Sequence, residues 1–184
     1  MNEVPPFDAH GHLPEGDHAC TIAQLRESVL VRGPKDADES WDAPWRRRLV
    51  DNLERLVQQL CAVRITRVYA DGSFVENTEH PNDIDGYFDC EPRRLADGSL
   101  LSELNALDPY RCWTWDPASR KPFGKYSKSQ LPMWHRYRVE LYPNWGQMSG
   151  ILDKHGRPMD FPTAFRRSRR TGLARGILLI ESDA

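Results

Sequence analysis

Tyr69-Ala70-Asp71-Gly72-Ser73-Phe74, followed after a short spacer by Pro81-Asn82-Asp83-Ile84-Asp85-Gly86, is the stretch on which the reading of this 184-residue chain turns. Residues 65–70 are short, β-branched and alternate apolar with polar side chains, which predicts a strand running into Gly72. Residues 83–88 predict a second. Asp83 and Asp85 stand two apart, so on a strand their carboxylates share one face while Ile84 points to the core. Two neighbouring carboxylates in poorly hydrated surroundings repel unless a cation lies between them. A hard, oxygen-seeking ion, Mg2+ or Mn2+, suits that place. Glycine at a strand end lets the chain turn sharply and lets a phosphate approach the backbone amides, and Ser73 adds a hydroxyl donor. The nine residues between Ser73 and Asp83 suffice to return the second strand beside the first. Phosphates at Gly72-Ser73 would then face the metal-holding acids, as phosphoryl or nucleotidyl transfer requires.

Outward from this stretch, residues 1–20 are punctuated by Pro5, Pro6, Gly11, Pro14 and Gly16 and are expected to form an irregular arm. Thr21 caps a predicted helix over 22–30, which Gly33-Pro34 stops. An acidic loop over 36–42 leads to the strongest helix signal, residues 44–62. There Leu49, Leu53, Leu56, Val57 and Leu60 recur at helical spacing, opposite a wet face holding Arg46, Arg47, Asp51, Glu54, Arg55 and Gln58. A serine-capped helix is expected over 99–107, a third strand over 136–142 and a fourth over 176–181. Residues 108–135, rich in Pro and Trp, carry no assignable pattern. The order of elements predicts one α/β domain over 1–184, a mixed sheet with helices packed on it.

The bulk numbers agree with a globular chain: 39% hydrophobic, 28% charged and a net charge of −2. Nucleic-acid contact would therefore have to come from a local patch. No apolar run approaches the roughly 20 residues needed to span a bilayer, and the first residues lack a secretory pattern. Cys20, Cys61, Cys90 and Cys112 are widely spaced without a C-x-x-C pair, which fits reduced thiols and a cytoplasmic location.

A third acid is wanted for such chemistry. Arg138-Val139-Glu140-Leu141-Tyr142 supplies one, with Glu140 between apolar neighbours on a predicted strand. Gly72-Ser73, a spacer, Asp83-x-Asp85 and the later Glu140 together resemble the DNA polymerase β-type nucleotidyltransferases, and most closely their minimal bacterial domains. The arm Phe7-Asp8-Ala9-His10-Gly11-His12-Leu13-Pro14-Glu15-Gly16 and the tail Arg170-Thr171-Gly172-Leu173-Ala174-Arg175-Gly176-Ile177 resemble a poorly characterised bacterial and phage family of such domains. The resemblance implies transfer of a nucleoside monophosphate from a nucleoside triphosphate to an acceptor, RNA, tRNA or protein, in a toxin–antitoxin or phage-defence setting. It implies Ser73 on the terminal phosphates, Asp83 and Asp85 on the metals and Glu140 on the acceptor-side metal. Glu140 stands where the resembled families more often carry aspartate.

Other readings stand beside this one. A nucleotide-binding or regulatory module acting on a partner protein keeps the same residues without turnover. A sugar or phosphoryl transferase uses the same Asp-x-Asp. His10-Gly11-His12 resembles the opening of barrel hydrolases, but the chain is too short for that barrel, and a packed loop is expected. Arg166, Arg167, Arg169, Arg170 and Arg175 form a basic cluster, either a solvated face or a phosphate or RNA contact, with Arg175 the expected phosphate ligand. Trp113, Trp115, Trp134 and Trp145 fill cores or stack on a base. Lys121, Lys125 and Lys128 around Gly124 carry no assigned role.

Overall fold

The computed structural model describes residues 4–124 and 126–181. Lys125 and the first three residues, read above for a secretory pattern, lie outside the described residues. The chain runs β1 (Asp17–Thr21), α1 (Ile22–Glu27), α2 (Val29–Arg32), α3 (Ala43–Ala62), β2 (Val68–Asp71), β3 (Ile84–Asp89), α4 (Pro92–Ala96) and α5 (Ser99–Leu107). It continues with α6 (Pro132–Tyr137), β4 (Val139–Asn144), β5 (Met148–Leu152), β6 (Pro158–Asp160), α7 (Phe161–Phe165) and β7 (Ile177–Glu181). The expected mixed sheet is present, with five strands in the order β1-β7-β2-β3-β4. β1 runs parallel to β7 and β3 parallel to β4, while β2 lies antiparallel to both β7 and β3. β5 and β6 form a separate antiparallel pair.

Local chemistry explains most boundaries. Thr21 closes a capping box on α1: its hydroxyl accepts from Gln24 N at 3.2 Å, and Gln24 Oε1 accepts from Thr21 N at 2.9 Å. Ser28 then splits the expected helix in two, because its side chain accepts from Leu30 N and starts α2 afresh. Asp42 caps α3 through Trp45 N at 2.9 Å, with Pro44 in the first turn.

Four expectations need correction. The arm is not irregular throughout, since residues 17–20 belong to β1, whose pairing with β7 supplies the hydrogen bonds that glycine and proline content conceals. Residues 136–142 are not all strand: α6 occupies 132–137, Arg138 turns left-handed at φ 55°, and β4 starts at Val139. Ser99 opens α5 but does not cap it. Gly98 holds the cap position, and Ser99 N donates to Asp97 Oδ1 at 2.9 Å. Arg46 does not lie on the wet face of α3. It is fully buried, being three and four residues ahead of Leu49 and Val50 on the apolar stripe.

The period of two along each strand sorts the sheet into two faces. Val68, Ala70, Ile84, Phe88, Val139 and Leu141 join the leucines of α3 in the main core. The other face carries Tyr69, Tyr87 and Ile177, covered by Phe161 and Phe165 of α7. Tyr69 pairs with Tyr87 and Tyr87 with Tyr142 across the strands. One step along the same face, Asp71 pairs with Asp85 and Asp85 with Glu140. A row of tyrosines thus lies beside a row of acids.

Close strand packing depends on Gly86. A β-carbon there would drive into the Tyr69 carbonyl oxygen and stand 2.8 Å from Leu141 Cδ2. Gly86→Ala is expected to cost the upper end of the roughly 1–3 kcal/mol of an overpacked site, lowering Tm by about 2–4 °C per kcal/mol. Gly98→Ala, at φ 76° with open space around it, should cost about 1 kcal/mol. Thermal melts of the two variants check the ranking.

Candidate functional site

The acidic row forms the floor of a cleft of about 1040 Å3. Gly72, Ser73, Asp83, Asp85, Glu140 and Arg175 all line it, so the six residues singled out from the sequence are brought to one place. Gly72 is required there on two counts. Its φ is 87°, and a side chain would meet the Asp85 amide and carboxylate at 3.1 Å. The backbone at the end of β2 therefore lies directly against Asp85. Ser73 is half-buried beside it and opens a short 3-10 turn over Gly72–Val75.

The carboxylates differ in their partners. Trp134 Nε1 donates to Asp83 Oδ2 at 2.6 Å. Leu131 N donates to Glu140 Oε1 at 2.9 Å, the Tyr142 hydroxyl donates to Oε2, and Arg120 Nη1 lies 3.6 Å from Oε1. Asp85 accepts no hydrogen bond from any described residue. Burial and the neighbouring Asp83 push its carboxyl well above the ordinary range, against the pull of Arg169. Asp83 is raised as well, chiefly by burial.

Asp71, quoted in the decisive stretch yet not singled out there, belongs to the same row. It is buried, and Arg175 Nη2 donates to its Oδ2 at 2.6 Å, while Oδ1 has no partner. Arg175 also reaches Glu76 and donates to the Gly72 carbonyl at 3.1 Å. The expected role of Arg175 changes accordingly. It is a buried cation that fixes the Gly72 turn, with its charge already matched by Asp71 and Glu76. The only local sign of Asp71 was its period-two relation to Tyr69; its pairing with Arg175 spans a hundred residues and leaves no short-range pattern.

The rest of the basic cluster divides too. Arg166 is pinned to Asp17 at 2.6 Å and to the Tyr87 hydroxyl at 2.7 Å. Arg167, Arg169 and Arg170 line the cleft from a hairpin-like loop, in which Arg167 bridges Ala174 and Ser168 N donates to Leu173 O. Arg120 and Lys128 line it too, Arg120 beside Glu140 of β4 whereas Arg170 lies beside Glu76, which follows β2 on the other side of β3. The cleft thus has an acidic floor and basic walls. Of the tryptophans, Trp113 and Trp134 are buried and Trp145 is 47% exposed. The Asp8–His12 segment is a loop in which Asp8 Oδ1 accepts from His10 N and His12 N, and His12 packs fully buried.

A family model covers residues 5–181. The chain belongs to DUF6932, a family of unknown function. No curated protein and no solved structure matches this DUF6932 chain.

The oxygens this DUF6932 cleft offers are those of carboxyl groups, with Asp85 lacking any donor and Asp71 Oδ1 orphaned. As the side chains stand, no group of three or more His, Cys, Asp or Glu among the described residues is gathered in ligating positions. Both oxygens of Glu140 are turned to Leu131 N and the Tyr142 hydroxyl. No helix among the described residues is long and apolar enough to cross a membrane.

Proposed function

We propose that this chain is a magnesium-dependent nucleotidyltransferase. An acceptor hydroxyl attacks the α-phosphorus of a nucleoside triphosphate, the bond to the β-phosphate oxygen breaks, and pyrophosphate leaves. The observation that carries the reading is the donor-less Asp85, packed on Gly72 and paired across the sheet with Glu140, in a cleft whose walls carry arginine and lysine. An acidic floor facing basic walls complements a cation bound to a triphosphate. Asp83 and Asp85 hold magnesium or manganese, which supplies charge neutralisation on the phosphates when bound. Gly72-Ser73 cradles the terminal phosphates, and Glu140 faces the acceptor. Arg175 contributes by holding the Gly72 turn. Buried thiols at Cys20 and Cys112 suit a reducing compartment, and the cytoplasm is the proposed location.

A second reading draws on Glu140. Its two occupied oxygens favour a nucleotide-binding module that regulates a partner protein without turnover.

The test incubates purified protein with each α-labelled nucleoside triphosphate, Mg2+ and a cell extract, beside Asp83→Asn/Asp85→Asn. Label appearing in a macromolecule with the wild-type chain, and at least about a thousandfold less with the variant, is the expected outcome. Mg2+-dependent nucleotide binding without transfer selects the regulatory module. Undiminished transfer by the variant rules out the mechanism.

A further inference from the structure

We infer that the acceptor side of this cleft binds a single-stranded polynucleotide, with bases stacked on Phe123 and Tyr126 and phosphates led between the two basic walls. The inference rests on the nucleotidyltransferase reading only for its relevance to an acceptor; the binding itself does not need it.

Charge comes first. The whole molecule carries −2, yet residues 108–138 hold seven lysines and arginines against two aspartates, and residues 166–175 hold five arginines and no acid. Both segments line the same cleft, through Arg120 and Lys128 from the first and Arg167, Arg169 and Arg170 from the second, with Arg120 and Arg170 also near Glu140 and Glu76 at 3.6 and 3.5 Å. Basicity is concentrated in these two segments, against thirteen lysines and arginines and twenty-five acids in the rest of the chain, which draws a polyanion to that place.

The second observation is an aromatic shelf continuous with the first wall. Lys121 and Gln130 exchange backbone hydrogen bonds of 2.9 and 2.8 Å and close a hairpin. Phe123 and Tyr126 on that hairpin are 38% and 39% exposed, uncommon for rings with so many partners. Phe123 lies 5.1 Å from the Trp134 ring and 5.8 Å from Tyr126, and Tyr126 lies 5.6 Å from Trp134. Arg138 braces the group, its guanidinium 4.2 Å from the Phe123 centroid and 3.8 Å from that of Trp134.

The shelf is tied to the acids at two points. The Tyr126 hydroxyl donates to Asn82 Oδ1 at 2.8 Å, next to Asp83, and Trp134 donates to Asp83 itself. Rings held in place, half open to solvent and flanked by cations meet the requirements of a stacking platform for unpaired bases. A duplex hides its base faces and gains nothing from such rings.

The experiment is fluorescence anisotropy with labelled twelve-nucleotide oligouridine, oligothymidine and a duplex of equal length. It is done in EDTA without nucleoside triphosphate, so that no chemistry is read. Single strands are expected to bind more tightly than the duplex, with affinity falling roughly ten- to a hundredfold between 50 and 200 mM salt. Phe123→Ala and Tyr126→Ala should each weaken binding by about 5- to 100-fold, whereas Tyr126→Phe, which keeps the ring, should bind like wild type. Arg169→Ala should weaken binding and flatten the salt dependence. Equal affinity for RNA and DNA assigns recognition to bases and phosphates, and tighter RNA binding adds the 2′-hydroxyl; both support the inference. Preference for the duplex, indifference to both alanine variants in protein of unchanged circular dichroism, or no binding at 50 mM salt overturns it. Strand binding without nucleotide transfer removes only the transferase reading. Transfer to a protein or small molecule without strand affinity removes only this inference.

Discussion

Replacing Asp85 by asparagine is expected to stabilise the metal-free protein at pH 8 while abolishing nucleotide transfer. Burial and the adjacent Asp83 raise the Asp85 carboxyl, to about 7 against an ordinary value of 3.8. The folded state therefore binds this proton more tightly than the unfolded chain. Its contribution to stability is complete below the ordinary carboxyl range and is lost as pH rises through about 7. Above that point wild type carries an uncompensated charge that asparagine lacks. Because the cleft admits water to the group, the full linkage value is discounted to on the order of 1–2 kcal/mol, or roughly 2–8 °C in Tm. The gain should shrink towards pH 5. Adding Mg2+ should raise the Tm of wild type, as a ligand bound by the folded state does, and leave Asp85→Asn unmoved. A variant less stable than wild type at pH 8 would make Asp85 a structural carboxylate and take the metal site with it.

Arg46→Met should be the most damaging single change on α3. The guanidinium donates to the carbonyls of Leu30, Phe74, Glu76 and Thr78 at 2.7, 2.8, 3.1 and 2.5 Å, and stacks 4.0 Å over Trp41. It ties α2 to the segment that follows Gly72-Ser73. Methionine fills much of the volume but leaves the carbonyls of Leu30, Phe74 and Thr78 without donors, while that of Glu76 keeps the Thr78 N–H. Each unsatisfied group costs about 1–3 kcal/mol, with partial relief on relaxation, so a loss on the order of 4–6 kcal/mol is expected. That is comparable with the whole stability of a typical domain, about 5–15 kcal/mol. Thermal denaturation should show a fall of more than about 10 °C, and hydrogen exchange should quicken at the Glu76 and Thr78 amides ahead of the rest. Arg46→Lys, keeping the charge with fewer donors, should fall between. A Tm within a few degrees of wild type for Arg46→Met would show that water replaces the guanidinium at little cost.

The acids and the turn were legible in the sequence because their signals are local. Asp83 and Asp85 share a face by strand period, and Gly72 announces the turn that its φ of 87° demands. The partners were not legible. Glu140 meets Asp85 only because β3 and β4 pair in parallel across more than fifty residues, and no short-range pattern encodes such a crossover. Arg175 stood out from its cluster as a phosphate ligand, and what sets it apart is instead its pairing with two acids about a hundred positions away. Arg46 could have been placed, since its helical spacing from Leu49 and Val50 sets it on the buried stripe; its charge argued for solvent and the spacing prevailed. β1 was hidden by Gly16 and Pro14 just ahead of it, because its strand character comes from β7 rather than from its own composition.

The position of β7 has a consequence for how the chain is made. Though the last strand in sequence, it lies inside the sheet, between β1 and β2. A ribosome releasing this protein from its first residue onward exposes β1 and one edge of β2 with no neighbour until residues 177–181 emerge. Joining strands so distant in sequence is slow, and open edges in that interval invite pairing with other nascent chains. The arginine loop over 166–175 leaves the ribosome just before the strand that closes the sheet, so the basic wall and the finished sheet arrive together, and a chain stalled short of them leaves β2, the strand of Asp71, as an open edge.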